Sequence, residues 1–312
     1  MPRSITLALF LTLGLNVAQA AEPLRVVTSF SILADMVQQV GGEQVKISSL
    51  VAPDSDIHAF SPSPTQARTL GQADVLIFNG LQLEGWLTRL IEASDYDGVR
   101  VTASDGISVL TGGAQEEDHG HEHAHQNGHG HAHDQGDADP HAWLDVGRAQ
   151  QYVANIRDGL IEADPDNAER YRDNAKRYLD ELKMLDQDIR ASMAAIPEDR
   201  RVVVTNHQAF GYFGDAYNVR FLSRQLSTAS APSATEMARL IDVIRDNQVP
   251  ALFLENNANP GIINQLAEET GLPIAGTLYS GALASGGEAS TYVGMMRHNA
   301  ALLHKGLTTT VK

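Results

Sequence analysis

No cysteine occurs anywhere in the 312 residues. Disulfides, thiolate metal sites, iron–sulfur clusters and cysteine nucleophiles are therefore excluded. Positive charge is scarce: 23 Lys and Arg stand against 39 Asp and Glu, a formal charge of −16. Such an excess of acid repels phosphates, so nucleic acid and anionic membrane are disfavoured partners and cationic ligands are favoured. Long apolar runs are missing too. The run Ile5 to Val17 falls short of the roughly 20 residues that span a bilayer, and nothing later is longer. What remains is 43% hydrophobic and 20% charged, an ordinary globular composition that rules out collagen-like and wholly disordered classes.

The N-terminus has the layout of an export signal. Arg3 is the only charge before Glu22, the apolar run follows, and Ala18-Gln19-Ala20 is a small-x-small cleavage pattern. Residues 1–20 are expected to be a cleavable signal peptide. The mature chain is expected to be periplasmic, without a lipid anchor, because no cysteine stands at the cleavage site.

Beyond it, short β-branched runs alternate with helical patterns. The runs are Leu24 to Thr28, Val45 to Val51, Asp74 to Phe78, Val99 to Thr102, Arg201 to Thr205, Ala251 to Leu254 and Leu272 to Ala275. Helical patterns lie between them, as at Ser31 to Val40 and Thr235 to Asn247. Alternation of this kind predicts parallel sheets covered by helices. One feature divides the series. From Asp164 to Ile196, apolar residues fall at Ala168, Tyr171, Ala175, Tyr178, Leu182, Leu185, Ile189, Met193 and Ile196, mostly three or four apart. Asp164 suits the N-cap, Pro165 the first turn, and Pro197 ends the pattern. About 31 helical residues would span roughly 46 Å. The expected architecture is α/β, with two parallel-sheet lobes joined by one long backbone helix. The expected divisions are a first lobe at 21–163, the linking helix at 164–197 and a second lobe at 198–312.

Between Val101 and Gly147 there is no Lys or Arg but there are nine acids, and seven of the twelve histidines lie in the tract 116–137 inside that span. These are His119, His121, His123, His125, His129, His131 and His133. Gly and Ala spacers without apolar periodicity cannot build a core, so 116–137 is expected to be a loop. Neutral imidazoles beside carboxylates collect Zn, Cu or Ni, and ordering entropy keeps such loop sites weak and multiple.

Three histidines stand apart. His58 follows the strand ending at Val51, His207 follows the strand Val202 to Val204, and His141 sits in Asp139-Pro-His-Ala-Trp-Leu-Asp145 before a helical stripe. Ligands of open α/β sheets gather beyond the carboxyl ends of strands, where His58 and His207 fall. Beside a metal-collecting tract, these three are the candidate ligands of a tight site. His298 and His304, in the amphipathic C-terminal stretch, are expected to be surface or packing residues.

The Asp139 to Asp145 segment, the Pro53 to His58 loop, Ala73 to Trp86 and Thr291 to Asn299 together resemble the metal-binding solute-binding proteins of ABC importers, the zinc/manganese cluster A-I family. The resemblance spans about Arg25 to Leu303. It implies two α/β lobes with one metal in the cleft, ligated by His58, His141 and His207, and delivery of Zn(II) or Mn(II) to an inner-membrane permease with its ATPase. Manganese members tend to carry a carboxylate at the third position, where His207 stands. An imidazole there and the His-rich insertion both point to zinc. The family's pattern also places an Asp where this chain has Gly281. That leaves the fourth ligand open among water, which is favoured, Glu255, Glu288 and a tract histidine.

The resulting expectation is a monomeric, non-enzymatic Zn(II)-capture protein. Two alternatives stand beside it: a manganese-binding member of the same family, and a secreted zinc hydrolase, since three ligands with an open position also describe catalytic zinc. The hydrolase reading lacks a His-Glu-x-x-His or Gly-x-Ser-x-Gly motif.

Overall fold

The computed structural model describes residues 22–111, 138–205, 207–222 and 233–309. The expected signal peptide at 1–20 and the His-rich segment 116–137 lie outside the described residues.

The first lobe follows the order β1 (Leu24–Phe30), α1 (Ser31–Gly41), β2 (Val45–Val51), α2 (Pro64–Leu70), β3 (Val75–Phe78), α3 (Leu87–Ser94), β4 (Val99–Thr102) and α4 (Val146–Ala163). Its strands form one parallel sheet in the order β2-β1-β3-β4. Val26, Val27, Val75, Leu76 and Ile77 are buried in it, as expected for strands covered on both faces. Local signals set the helices. Ser63 and Gln66 form a capping box ahead of α2, with Pro64 in its first turn. Asp145 caps α4 by accepting from the Gly147 N–H at 2.7 Å.

The long helix α5 (Ala168–Ala194) buries Tyr171, Ala175, Tyr178, Leu182, Leu185, Ile189 and Met193, the stripe read from the sequence. Its start differs from expectation. Asp164 ends α4 and opens a 3-10 turn at Pro165–Asn167, and Asn167 precedes α5. The Asp164 carboxylate accepts instead from Asn167 Nδ2 at 2.8 Å and the Tyr171 hydroxyl at 2.6 Å. The short side chain is thus spent on the corner between two helices and not on the first turn of α5.

The second lobe adds β5 (Val202–Val203), α6 (Gly211–Tyr217), β6 (Arg220–Phe221), α7 (Ala234–Asp246), β7 (Leu252–Glu255), α8 (Gly261–Thr270), β8 (Ile274–Leu278) and α9 (Tyr292–Thr308). Parallel pairs β5-β6 and β7-β8 are joined by a bridge between Val204 and Leu252. The α9 helix packs on α5 and α1 as well as on β8, so the second lobe reaches back across the first. One hydrophobic cluster contains Val26, Trp143, Leu182, Phe210, Phe253 and Tyr292 together, and a smaller one fills the second lobe around Leu240, Leu252 and Leu266. Because close-packed interiors resist deformation, the lobes are fixed by α5 and α9 rather than swinging on a bare strut.

Candidate metal centre

Three loops converge between the lobes. His58 lies in the turn region after β2. His141 immediately precedes a 3-10 turn, Ala142–Leu144, that runs into α4. His207 follows β5. Their imidazoles meet: ligand atoms of all three lie within 4.8 Å of one another. Ring centroids are separated by 5.3 Å (His58–His141), 5.2 Å (His58–His207) and 5.0 Å (His141–His207). His58 Nε2 and His141 Nε2 are 3.2 Å apart. Two nitrogens bound to one tetrahedral zinc at about 2.0–2.1 Å would stand about 3.3 Å apart.

Each histidine is held differently. The His141 ring donates through Nδ1 to Asp139 Oδ1 at 2.8 Å, and the same oxygen accepts from the His141 backbone N–H at 3.0 Å. The carboxylate only accepts, so it holds the proton on Nδ1 and leaves the Nε2 lone pair facing the other rings. Trp143 packs against the His141 ring at 5.3 Å and donates from Nε1 to the Ser280 carbonyl at 2.8 Å. The loop beneath is tied down as well: the Tyr212 hydroxyl donates to the Asp139 carbonyl, and Asn79 Nδ2 to the Pro140 carbonyl. His207 leans on Glu255. The Glu255 carboxylate accepts from the His207 backbone N–H at 2.9 Å and lies 3.5 Å from Nδ1. His58 has the lightest support, a backbone N–H donated to Asp56 Oδ1 at 2.9 Å, and it is the exposed member of the three.

The protonation states follow from these surroundings. Burial, with repulsion from His141 and His207, pushes His58 down to about 4 against a weaker upward pull from Asp56. Burial also pushes His141 down, outweighing Asp139. At His207 burial acts downward too, but the hydrogen bond and charge of Glu255, with Asp56 and Asp139, outweigh it and the net shift is upward. Two neutral imidazoles and one basic imidazole thus share the cleft, a donor set suited to a divalent cation.

Of the candidates for a fourth ligand, neither Glu255 nor Glu288 joins this group. Among the described residues the cluster contains no carboxylate. Glu255 is buried against His207, and Glu288 is exposed in the 3-10 turn Glu288–Ser290. Gly281 is buried, and a Cβ there would stand 2.8 Å from Asn257 Nδ2. His298 donates from Nε2 to the Thr277 carbonyl, 2.9 Å away, and packs on Tyr279, a structural role. The tract histidines His119, His121, His123, His125, His129, His131 and His133 lie outside the described residues. The orienting role of Asp139 goes beyond its place in the Asp139-Pro-His motif, and its spacing two residues before His141 is the sequence signal for it.

The model of the family described as "ZnuA: Zinc-uptake complex component A periplasmic" matches residues 26–306. The chain is 34% identical over 294 residues to the manganese-binding lipoprotein MntA of Halalkalibacterium halodurans, covering 93% of this chain and 91% of that one. It is 30% identical over 304 residues to the metal ABC transporter substrate-binding lipoprotein SsaB of Streptococcus sanguinis, covering 94% and 92%. The solved periplasmic zinc-binding protein TroA from Treponema pallidum superposes with a TM-score of 0.78 at 28% identity, over 92% of this chain and 100% of that one. The two-lobe fold with its long helix is therefore that of TroA. One expectation is corrected. Relatives of this chain are named lipoproteins, against the expectation of a protein without a lipid anchor. An anchor is a covalent addition outside the folded lobes, so neither the apolar-run length nor the fold reports on it, and missing cysteine speaks only for a thiol-linked lipid.

Proposed function

Because the chain belongs to the family of periplasmic zinc-uptake components, and is thus the extracytoplasmic substrate-binding protein of a metal ABC importer, we propose that its cargo is Zn(II). In this reading His58, His141 and His207 each give one nitrogen to the ion, and the complex delivers it to a membrane permease with its ATPase. Membership also removes the hydrolase reading, since the family consists of transporter binding proteins and not enzymes.

The observation that carries the zinc reading is the donor set: three imidazoles and no carboxylate in the described cluster. Imidazole is a softer donor than carboxylate and ranks zinc well above manganese, which favours oxygen. Solvent is proposed at the fourth position, in keeping with Gly281 and the crowding by Asn257. The domain division at 21–163, 164–197 and 198–312 is proposed with it, supported by the placement of α5 between the two series of strands.

A manganese reading has its own support, since MntA and other relatives are named for manganese. Competition titration separates the two. Zn(II) should displace Mn(II) with a preference of several orders of magnitude, and His58→Ala, His141→Ala and His207→Ala should each weaken Zn(II) binding by orders of magnitude. Equal affinity for both ions, or unchanged affinity in all three variants, would reject the zinc site.

A further inference from the structure

The loop that carries His58 is fastened to the opposite lobe. Leu283 lies in the segment between β8 and the Glu288–Ser290 turn, and the first lobe takes both its backbone groups. The Leu283 N–H donates to Ser31 Oγ at 3.0 Å, and its carbonyl accepts from the Asp54 N–H at 2.9 Å. Two residues on, the Ser285 N–H donates to Asp54 Oδ2 at 2.9 Å. Asp54 thus presents a backbone donor and a side-chain acceptor to the same strip of the second lobe. It does so at φ 56, a left-handed conformation that Asp tolerates better than most residues.

The three histidines differ in how freely they can move. The His141 loop is tied by Asp139, Asn79 and Tyr212, and His207 by buried Glu255. Moving either would disturb buried packing. His58 sits four residues beyond Asp54 on an exposed stretch between β2 and α2. An ion held by three imidazoles leaves by losing one bond first, and the loop that opens at least cost is that of His58.

We propose that Asp54 is a positioning residue whose clasp on Leu283 and Ser285 holds the His58 loop in place and slows departure of the bound ion. The inference rests on the reading of His58 as a ligand. The clasp lies at the exposed rim, where each hydrogen bond is modest, so it can hold the ion in solution and still yield when the second lobe is pulled or displaced.

The test uses full-length zinc-loaded protein mixed with excess chelator in a stopped-flow experiment, with amide exchange read at Ser285. Asp54→Gly keeps the positive φ and the backbone donor but removes the acceptor. It should release zinc about three- to tenfold faster, the loss of one hydrogen bond, with an unchanged association rate and a faster-exchanging Ser285 amide. Asp54→Asn keeps an acceptor oxygen and should behave like the wild type. His58→Ala, run in parallel, should bind zinc far more weakly. Unchanged release in Asp54→Gly while His58→Ala weakens binding would overturn the clasp alone. Equal acceleration in Asp54→Asn and Asp54→Gly would also overturn it, by showing that charge matters and not the acceptor. Unchanged affinity in His58→Ala would overturn the ligand reading beneath it.

Discussion

Asp139 Oδ1 lies 2.8 Å from His141 Nδ1, and this contact decides which nitrogen of the buried imidazole faces His58 and His207. Without an acceptor on Nδ1, the proton can sit on either nitrogen and the ring loses its fixed direction. The Asp139→Asn variant keeps the shape but presents an amide that is neutral and can turn its NH2 toward the ring. Zinc affinity should fall about 10- to 100-fold. Chelator competition gives the affinity, and nitrogen chemical shifts of His141 should show a mixed tautomer in the metal-free variant. A wild-type affinity would mean that packing on Trp143 alone orients the ring.

Affinity should depend on pH through His207 first. A metal needs the neutral imidazole, so a raised value at His207 means a proton must leave when the ion binds near and below that value. Affinity should therefore fall about tenfold per pH unit as pH drops below the His207 value. The slope should steepen further toward pH 4, where His58 takes a proton. Glu255→Gln removes the largest upward pull, leaving burial opposed only by Asp56 and Asp139. Its affinity loss should start at lower pH than in the wild type. Calorimetry in buffers of different ionisation enthalpy counts the protons released, and no proton release at pH 6 would contradict the account.

Gly281 and Asn257 should behave as a pair. A Cβ at 281 would meet Asn257 Nδ2 at 2.8 Å, while Asn257 Oδ1 accepts from the Ser280 hydroxyl at 3.1 Å. Gly281→Asp alone should lose stability by about 1–3 kcal/mol through overpacking, with little change in metal preference. Combined with Asn257→Gly, the carboxylate gains room, and manganese affinity should rise relative to zinc because an oxygen donor is added. X-ray absorption would show the added oxygen. A fourth protein ligand at about 2.0 Å in the wild-type spectrum would reject solvent at that position.

Deleting 116–137 should leave the tight site intact and remove weaker zinc equivalents. The chain leaves and re-enters the described structure side by side: Thr111 bridges Ala138, and the Asp139 N–H donates to the Leu110 carbonyl at 2.9 Å. A short connection can span that gap, and shortening a surface loop carries little thermodynamic cost. Equilibrium dialysis gives the stoichiometry. Loss of the tight equivalent would place a tract histidine in the cleft.

Much of this molecule was legible in order along the chain. The buried face of α5 was set by Tyr171, Leu182 and Met193 recurring on a helical period, because that period makes one continuous apolar stripe whatever it packs against. The strands announced themselves by β-branched runs between turn residues, although β6, two residues long, carries too little pattern to be read. His58 and His207 were readable as candidates because each follows a strand, where α/β loops collect ligands.

Local pattern alone could not say which groups meet. Asp139, Asn79 and Glu255 act on the histidines through contacts that depend on how three loops from two lobes are brought together, and no periodicity encodes a contact between residues 48 or 61 positions apart. The Asp54 clasp on Leu283 is more distant still along the chain, and it exists only because α5 and α9 pack the second lobe against the first. Composition and period determined the elements, the absence of thiol chemistry and the imidazole character of the site. Tertiary packing decided which imidazole nitrogen faces inward, which ring stays basic, and which lobe holds the loop of His58, because hydrogen bonds and desolvation act across space and not along sequence.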